Sequence, residues 1–336
     1  MRPVCLIVRD GWGYNVNPRA NAAFTAQTPN IDRYLHRYPS TLLDASGEAV
    51  GLPAGYQGSS EVGHLNMGAG RIVVQELKRI DEAFRDGSLF QCEKWRNLMR
   101  QWSAGGRLHL MGLLQDEGVH AHCEQLFALA RQARKENPAG AMVFHPFLDG
   151  RDTPPRSCLE YLGKLDRVMA ELGNCVIGTV MGRYYAMDRS ANWGLTDQAY
   201  AAIVGAAGRK TAAAQTAVEE SYASDKTPDG VEMCDEYILP YVVGDYPGVR
   251  DGDCVIHTNY RQDRAIQLTR AFVDPAYPGQ LAAKPKVAYL GFTRYYDEFT
   301  EFLMGPMGGG GTMGNLLGEV IAGAGLRQLR IAETQK

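Results

Sequence analysis

The sequence predicts an α/β protein of two domains, on three observations. Short apolar runs at residues 108–114, 142–148, 176–181 and 254–258 have the length and continuity of strands buried on both faces. Each run ends in a polar cluster, and helical patterns are interspersed between them, the alternation that builds a parallel sheet. A length of 336 residues with 45% hydrophobic side chains supplies enough apolar area for two ordinary cores.

Composition excludes several classes of function. The formal charge of −3 gives no electrostatic footprint for nucleic acid, and no basic block points to a membrane surface. The run at residues 4–8 is interrupted by Arg9 and Asp10. It is too short for a signal or spanning segment and reads as a buried strand. Seven cysteines without a C-x-x-C pair argue against a disulfide framework and for a reducing compartment, the cytoplasm.

In chain order, the first strand delivers Asp10 to a Gly11-Trp12-Gly13 loop. An aspartate at the carboxyl end of a strand is placed to hold a metal or to cap the loop. Thr28 and Pro29 then read as the N-cap and first position of a helix, and residues 41–45 as a second strand. The stretch GSSEVGHLNMGAGR, residues 58–71, opens another helix. Ser59 or Ser60 is its N-cap, or Ser60 is a nucleophile among the unpaired amides at the positive end of the helix. Val73, Leu77, Ile80 and Phe84 share one helical face, and a further helix covers 89–102.

Strand 108–114 leads to Asp116, His120 and His122. That spacing serves a metal, but Gly118 and the lack of a helical setting favour a plain loop. Strand 142–148 delivers Arg151 and Asp152, which would neutralise each other on an ordinary surface. Strand 176–181 delivers Arg183 and Arg189. After helices at 193–204 and 211–223 and a strand at 237–243, strand 254–258 delivers Arg261 and Arg264. If these two lie in a first helical turn they share a face, and two guanidinium forks can hold one phosphate. Arginine at successive strand ends points to a small anion. Strand 286–292, a glycine run at 308–311, helix 313–324 and strand 328–332 complete the chain, which closes on Lys336.

The runs DGWG, TPNID and ASGEAVGLPAGYQGSSEVGHLNMGAGR resemble cofactor-independent phosphoglycerate mutase, of the alkaline phosphatase superfamily. The resemblance implies an incomplete alkaline-phosphatase-like sheet domain, residues 1–75 and 307–336, with a complete inserted α/β transferase domain, residues 76–306. It implies interconversion of 3-phosphoglycerate and 2-phosphoglycerate through a phosphoserine at Ser60, with Asp10 and Ser60 as ligands in a two-manganese centre. It assigns His120, Arg151, Asp152, Arg183 and Arg189 to the glycerate, with Asp152 as a proton shuttle. Arg261, Arg264 and Lys336 fall to the phosphoryl group. Closure of the two domains would protect the phosphoserine from water.

In the family the chain continues beyond the position of Lys336 and there supplies the remaining manganese ligands, which have no counterpart among the seven histidines here. The expectation is therefore an amino-terminal part, inactive alone, monomeric, acting on a small molecule and needing a carboxyl-terminal complement. Other readings are a phosphopentomutase or phosphatase of the same superfamily, a phosphoglycerate-binding remnant, or half of a split mutase.

Overall fold

A computed structural model of the protein describes residues 3–305 and 313–332. The chain divides into two compact units, Met1–Lys78 with Thr312–Lys336, and Arg79–Gly311. These divisions fall after residues 78 and 311, where the sequence places them after 75 and 306.

The Arg79–Gly311 unit is a layered α/β structure on one sheet. Among the described residues its strands are β1 (Arg107–Leu113), β2 (Ala141–Leu148), β3 (Cys175–Ile177), β4 (Thr179–Gly182), β5 (Arg209–Thr211), β6 (Tyr241–Val243), β7 (Cys254–His257), β8 (Ala288–Thr293) and β9 (Phe302–Met304). They run in the order β5-β6-β4-β2-β1-β7-β8-β9, with β3 beside β2. All neighbours are parallel except β4 and β6. The central strands β1, β2 and β7 are mostly apolar and buried along nearly their whole length, as in a parallel sheet covered on both faces. Phe144, Phe147, Leu108 and Leu110 are fully buried there, with Trp95 and Trp102 from the helix Glu93–Ser103.

Remote side chains start and fix the connecting helices. The amides of Ser157 and Cys158, at the head of helix Cys158–Leu172, both donate to Asp235 Oδ2 at 2.9 Å. This carboxylate, distant in sequence, does the work of an N-cap. Three expectations shift. The single strand foreseen at 176–181 is two, broken at Gly178, where a Cβ would lie 2.7 Å from Val143 Cγ1 and 2.8 Å from His145 Cε1. The strand foreseen from 237 begins only at Tyr241, because Asp235–Tyr237 is a turn of 3-10 helix. The helix after β7 begins at Ile266, so Arg261 and Arg264 sit on the loop before it rather than in its first turn.

The Met1–Lys78 unit contains no strand among its described residues. The segments read as strands at 4–8, 41–45 and 328–332 make no ladder, and Val4, Leu43 and Ile331 are 94%, 88% and 85% exposed. An apolar run becomes a strand only when a neighbour pairs its amides and carbonyls, and the described residues offer none. Helix Pro29–Arg37 has Thr28 at its N-cap position, as read. Helix Ser60–Ala69 is anchored through Asn66, whose amide donates to Val50 O at 3.0 Å and whose Oδ1 accepts from Val73 N at 2.7 Å.

A buried polar chain crosses the sheet. Thr179 Oγ1 and His145 Nδ1 are 2.9 Å apart, His145 Nε2 and His109 Nδ1 2.9 Å, and His109 Nε2 and Asp253 Oδ2 3.1 Å. Protons run one way along it: Thr179 donates to His145, His145 to His109, and His109 to Asp253, which also accepts from Arg107 at 2.7 Å. Each imidazole is thereby satisfied while neutral. Burial holds His109 and His145 below their ordinary value of 6.5 and pushes His257 down to about 3. The unfolded chain takes up protons near 6.5 whereas these groups in the fold do not, so stability rises with pH below that value. The thermal midpoint is predicted to fall as pH drops from about 7 to 5, and His145→Gln to flatten that slope. A midpoint indifferent to pH in melts over this interval would contradict neutral burial.

Candidate active site

Two groups of sequence-selected residues gather, one in each unit. In the first, Ser59 rather than Ser60 is the N-cap of helix Ser60–Ala69, its Oγ accepting from Val62 N at 3.3 Å. The Ser60 hydroxyl is thus released from capping and donates to Asp10 Oδ2 at 2.6 Å. His64, one turn along the helix, puts Nδ1 2.7 Å from the Ser60 carbonyl and 3.3 Å from its Oγ. The shorter contact makes Nδ1 the donor to the carbonyl. Asp10 is therefore the group that polarises the hydroxyl, and His64 holds the turn that carries it.

Asp10 and Ser60 bring together one carboxylate and one hydroxyl, part of what a divalent ion needs. Their oxygens are hydrogen-bonded to each other, and no cluster of three or more His, Cys, Asp or Glu side chains suited to a metal occurs among the described residues. Further ligands would complete the oxygen or nitrogen set that such an ion requires. The Asp116, His120 and His122 spacing does not make a metal site. Asp116 accepts from Tyr161 Oη at 2.6 Å and pairs with Lys164 at 3.2 Å, while His122 Nδ1 accepts from Glu124 N as a helix cap.

The second group lies where β1, β2, β4 and β7 end. Arg183 follows β4 and is 1% exposed. Its Nη1 pairs with Asp149, which follows β2, and with Asp152 Oδ2 at 2.6 Å. Asp149 also accepts from the amides of Asp152 and Thr153 at 3.3 and 3.0 Å, which shapes the loop bearing Arg151 and Asp152. Arg151 pairs with Glu236 at 3.2 Å. From the loop after β7, Asp263 meets Arg189 at 2.5 Å and Arg261 Nε at 3.1 Å. Arg264 donates to the Met187 carbonyl at 3.1 Å.

His120 is buried between two carboxylates, Nε2 3.9 Å from Asp152 Oδ2 and Nδ1 3.7 Å from Asp263 Oδ1. Burial and then the Arg183 charge push it down to about 3 against the pull of Asp263 and Asp152, so it is neutral at pH 7. Burial opposes ionisation of Asp263, but Arg261, His120 and Arg189 outweigh it and hold the carboxyl below the usual range. Arg264 is lowered by burial and by Arg183, Arg189 and Arg151, and no carboxylate pairs with it among the described residues. The loop is therefore positive, with donors converging from four strand ends, the place where parallel sheets collect anionic ligands.

Of the residues singled out in the sequence, His120, Asp152, Arg183, Arg189, Arg261 and Arg264 belong to this group, with Arg151 at its edge. Lys336 and the 308–311 glycine run lie outside the described residues. Sequence reading missed Asp149, Glu236 and Asp263. Asp149 and Asp263 stand beside the selected arginines in DGRD and RQDR, a signal that was available; Glu236 carried none.

A family model described as BPG-independent PGAM N-terminus matches residues 80–297. The chain belongs to this family. It is 46% identical over 342 residues to the 2,3-bisphosphoglycerate-independent phosphoglycerate mutase of Symbiobacterium thermophilum and 44% identical to that of Moorella thermoacetica, in each case over 100% of this chain and 64% of the relative. It spans, then, less than two thirds of those relatives' length. Among solved structures it resembles Leishmania mexicana phosphoglycerate mutase, crystallised at low cobalt concentration, with a TM-score of 0.77 and 31% identity over 90% of this chain and 57% of that one. The family match falls wholly within the Arg79–Gly311 unit.

Two substitutions in this family member separate its serines. Ser59→Ala is predicted to weaken helix Ser60–Ala69 by about 1 kcal/mol, the usual cost of losing a cap, and Ser60→Ala to leave it unchanged. Hydrogen exchange at residues 60–69 reads the difference; equal protection in both variants would mean that Ser59 is not the cap. In the other unit, Arg183→Met strands a buried Asp149 and is predicted to cost about 3 kcal/mol in urea unfolding.

Proposed function

We propose that the Arg79–Gly311 unit binds 3- and 2-phosphoglycerate, and that the chain serves their interconversion with Ser60 as the phosphoryl acceptor. The observation that carries this reading is the cluster of four arginines around a neutral, buried histidine. A phosphoglycerate has two anionic ends and a hydroxyl between them. Arg183, Arg189, Arg261 and Arg264 offer planar forks to the anions. Neutral His120 can donate one hydrogen bond and accept another, and Asp152 can take a hydroxyl proton within hydrogen-bond reach. Arg151 and Lys336 complete the set carried over from the family resemblance.

Ser60 enters the reading because its hydroxyl is spared from capping and hydrogen-bonded to a carboxylate, which favours attack on phosphorus. Manganese would supply charge neutralisation of the phosphoryl oxygens when bound; Asp10 and Ser60 are the residues that the family resemblance names for it, and further ligands are required. Turnover by these 336 residues accordingly needs a complement, whereas binding does not. The seven cysteines are all free, which supports a cytoplasmic setting; the reading has the protein monomeric.

Calorimetry tests this directly. The chain is predicted to bind 3-phosphoglycerate saturably, and Arg264→Met to weaken binding about tenfold or more, the worth of a charge-assisted hydrogen bond. Absence of binding by the wild-type chain would overturn the substrate assignment.

A further inference from the structure

We propose that Asp263 is a positioning residue of this site, its carboxylate holding Arg189 and Arg261 in their ligand-ready places; this rests on the reading of the site as a phosphoglycerate site. Arg189 comes from the loop after β4 and Arg261 from the loop after β7, and Asp263 joins them, Oδ2 2.5 Å from Arg189 Nη1 and Oδ1 3.1 Å from Arg261 Nε. His120, from the loop after β1, faces the same carboxylate at 3.7 Å. Three loops from three strand ends thus meet on one side chain. The β1 and β7 loops are already tied by backbone, since the His120 carbonyl accepts from Tyr260 N at 2.9 Å. The arginine side chains have no such tie.

Both arginines are free to leave. Their side chains are 49% and 40% exposed, and they share the site with Arg183 and Arg264, which repel them. Without Asp263 the favourable place for each guanidinium is solvent. The carboxylate has an opposite effect as well, because it repels an anionic ligand. The two effects differ in size. Repulsion across a half-exposed site is largely screened, whereas two forks that must be re-ordered on binding forfeit about tenfold apiece. The net effect of Asp263 is therefore to tighten binding.

One further detail fits this role. Asp263 Oδ1 and His120 Nδ1 are buried and lack hydrogen-bond partners among the described residues, because Arg261 approaches Oδ1 off the hydrogen-bond direction. A carboxylate kept for its own solvation would have both oxygens satisfied. Here Oδ1 is left facing His120 Nδ1 at 3.7 Å, beside Arg261, so the carboxylate is placed for the groups around it.

The test compares Asp263→Asn and Asp263→Glu in the full chain. By calorimetry with 3-phosphoglycerate, Asp263→Asn is expected to raise Kd about tenfold or more, and Asp263→Glu to stay within about threefold of wild type, with the thermal midpoint of both near that of wild type. Binding by Asp263→Asn as tight as wild type, or tighter, overturns the proposal. A readout without ligand separates it from the substrate assignment: the Nε–H resonances of Arg189 and Arg261 are expected to be dispersed in wild type and to collapse to the solvent-averaged position in Asp263→Asn. If wild type fails to bind 3-phosphoglycerate but the resonances collapse, the substrate assignment falls and the positioning role stands. If the resonances do not change, the positioning role falls whatever the ligand result.

Discussion

A guanidinium taken almost completely out of water is the constraint on which the Arg79–Gly311 unit depends. Arg183 and Asp149 each have side chains 1% exposed, and desolvating two charges is costly unless geometry and extra hydrogen bonds compensate. Here Asp149 and Asp152 share the Arg183 charge, while Asp149 also accepts backbone amides from its own loop. The ends of β2 and β4 are thereby locked in one arrangement. The lock admits no side chain at Gly182, where a Cβ would lie 2.2 Å from the Glu236 carbonyl. The turn bearing Glu236 consequently lies directly on the strand end, and Arg151 finds its partner there.

Around that fixed pair the remaining charges are only partly balanced. Arg151, Arg189 and Arg261 are each given a carboxylate, and Arg264 a carbonyl. The difference between these partners decides the character of the site. Fully paired arginines would make a structural network, and unpaired ones would scatter into solvent. Arginines held by acids that can share them with a ligand are pre-organised at modest electrostatic cost. His120 contributes by staying neutral: a protonated imidazole would add to an already positive loop, and burial beside Arg183 prevents it.

The sheet supports this from below. The one-way chain from Thr179 through His145 and His109 to Asp253 joins β4, β2, β1 and the start of β7 through their side chains, in addition to their backbone ladders. Asp253 is held well below the usual carboxylate range because His109 and Arg107 outweigh its burial. The chain ties these strands at their starts and middles, so their spacing is fixed below the carboxyl ends from which the arginine loops leave.

Much of this was legible in the sequence. The apolar runs near 108–114, 142–148, 254–258 and 286–292 gave strands because a strand buried on both faces is written in consecutive residues, and the serine pair before Glu-Val-Gly-His marked a helix start for the same local reason. Arginines following those runs had to arrive at strand ends. Tertiary structure decided the rest. It chose Ser59 over Ser60 as cap, broke one strand at Gly178, and left the runs at 4–8, 41–45 and 328–332 without ladders. It also chose the partners: Asp235 for a helix 77 and 78 residues away in sequence, Glu236 for an arginine 85 residues away, and Asp263 for one 74 away. Periodicity and capping are interactions between neighbours, so neighbours encode them; an ion pair between distant loops depends on where the sheet places their ends, and only the folded chain fixes that.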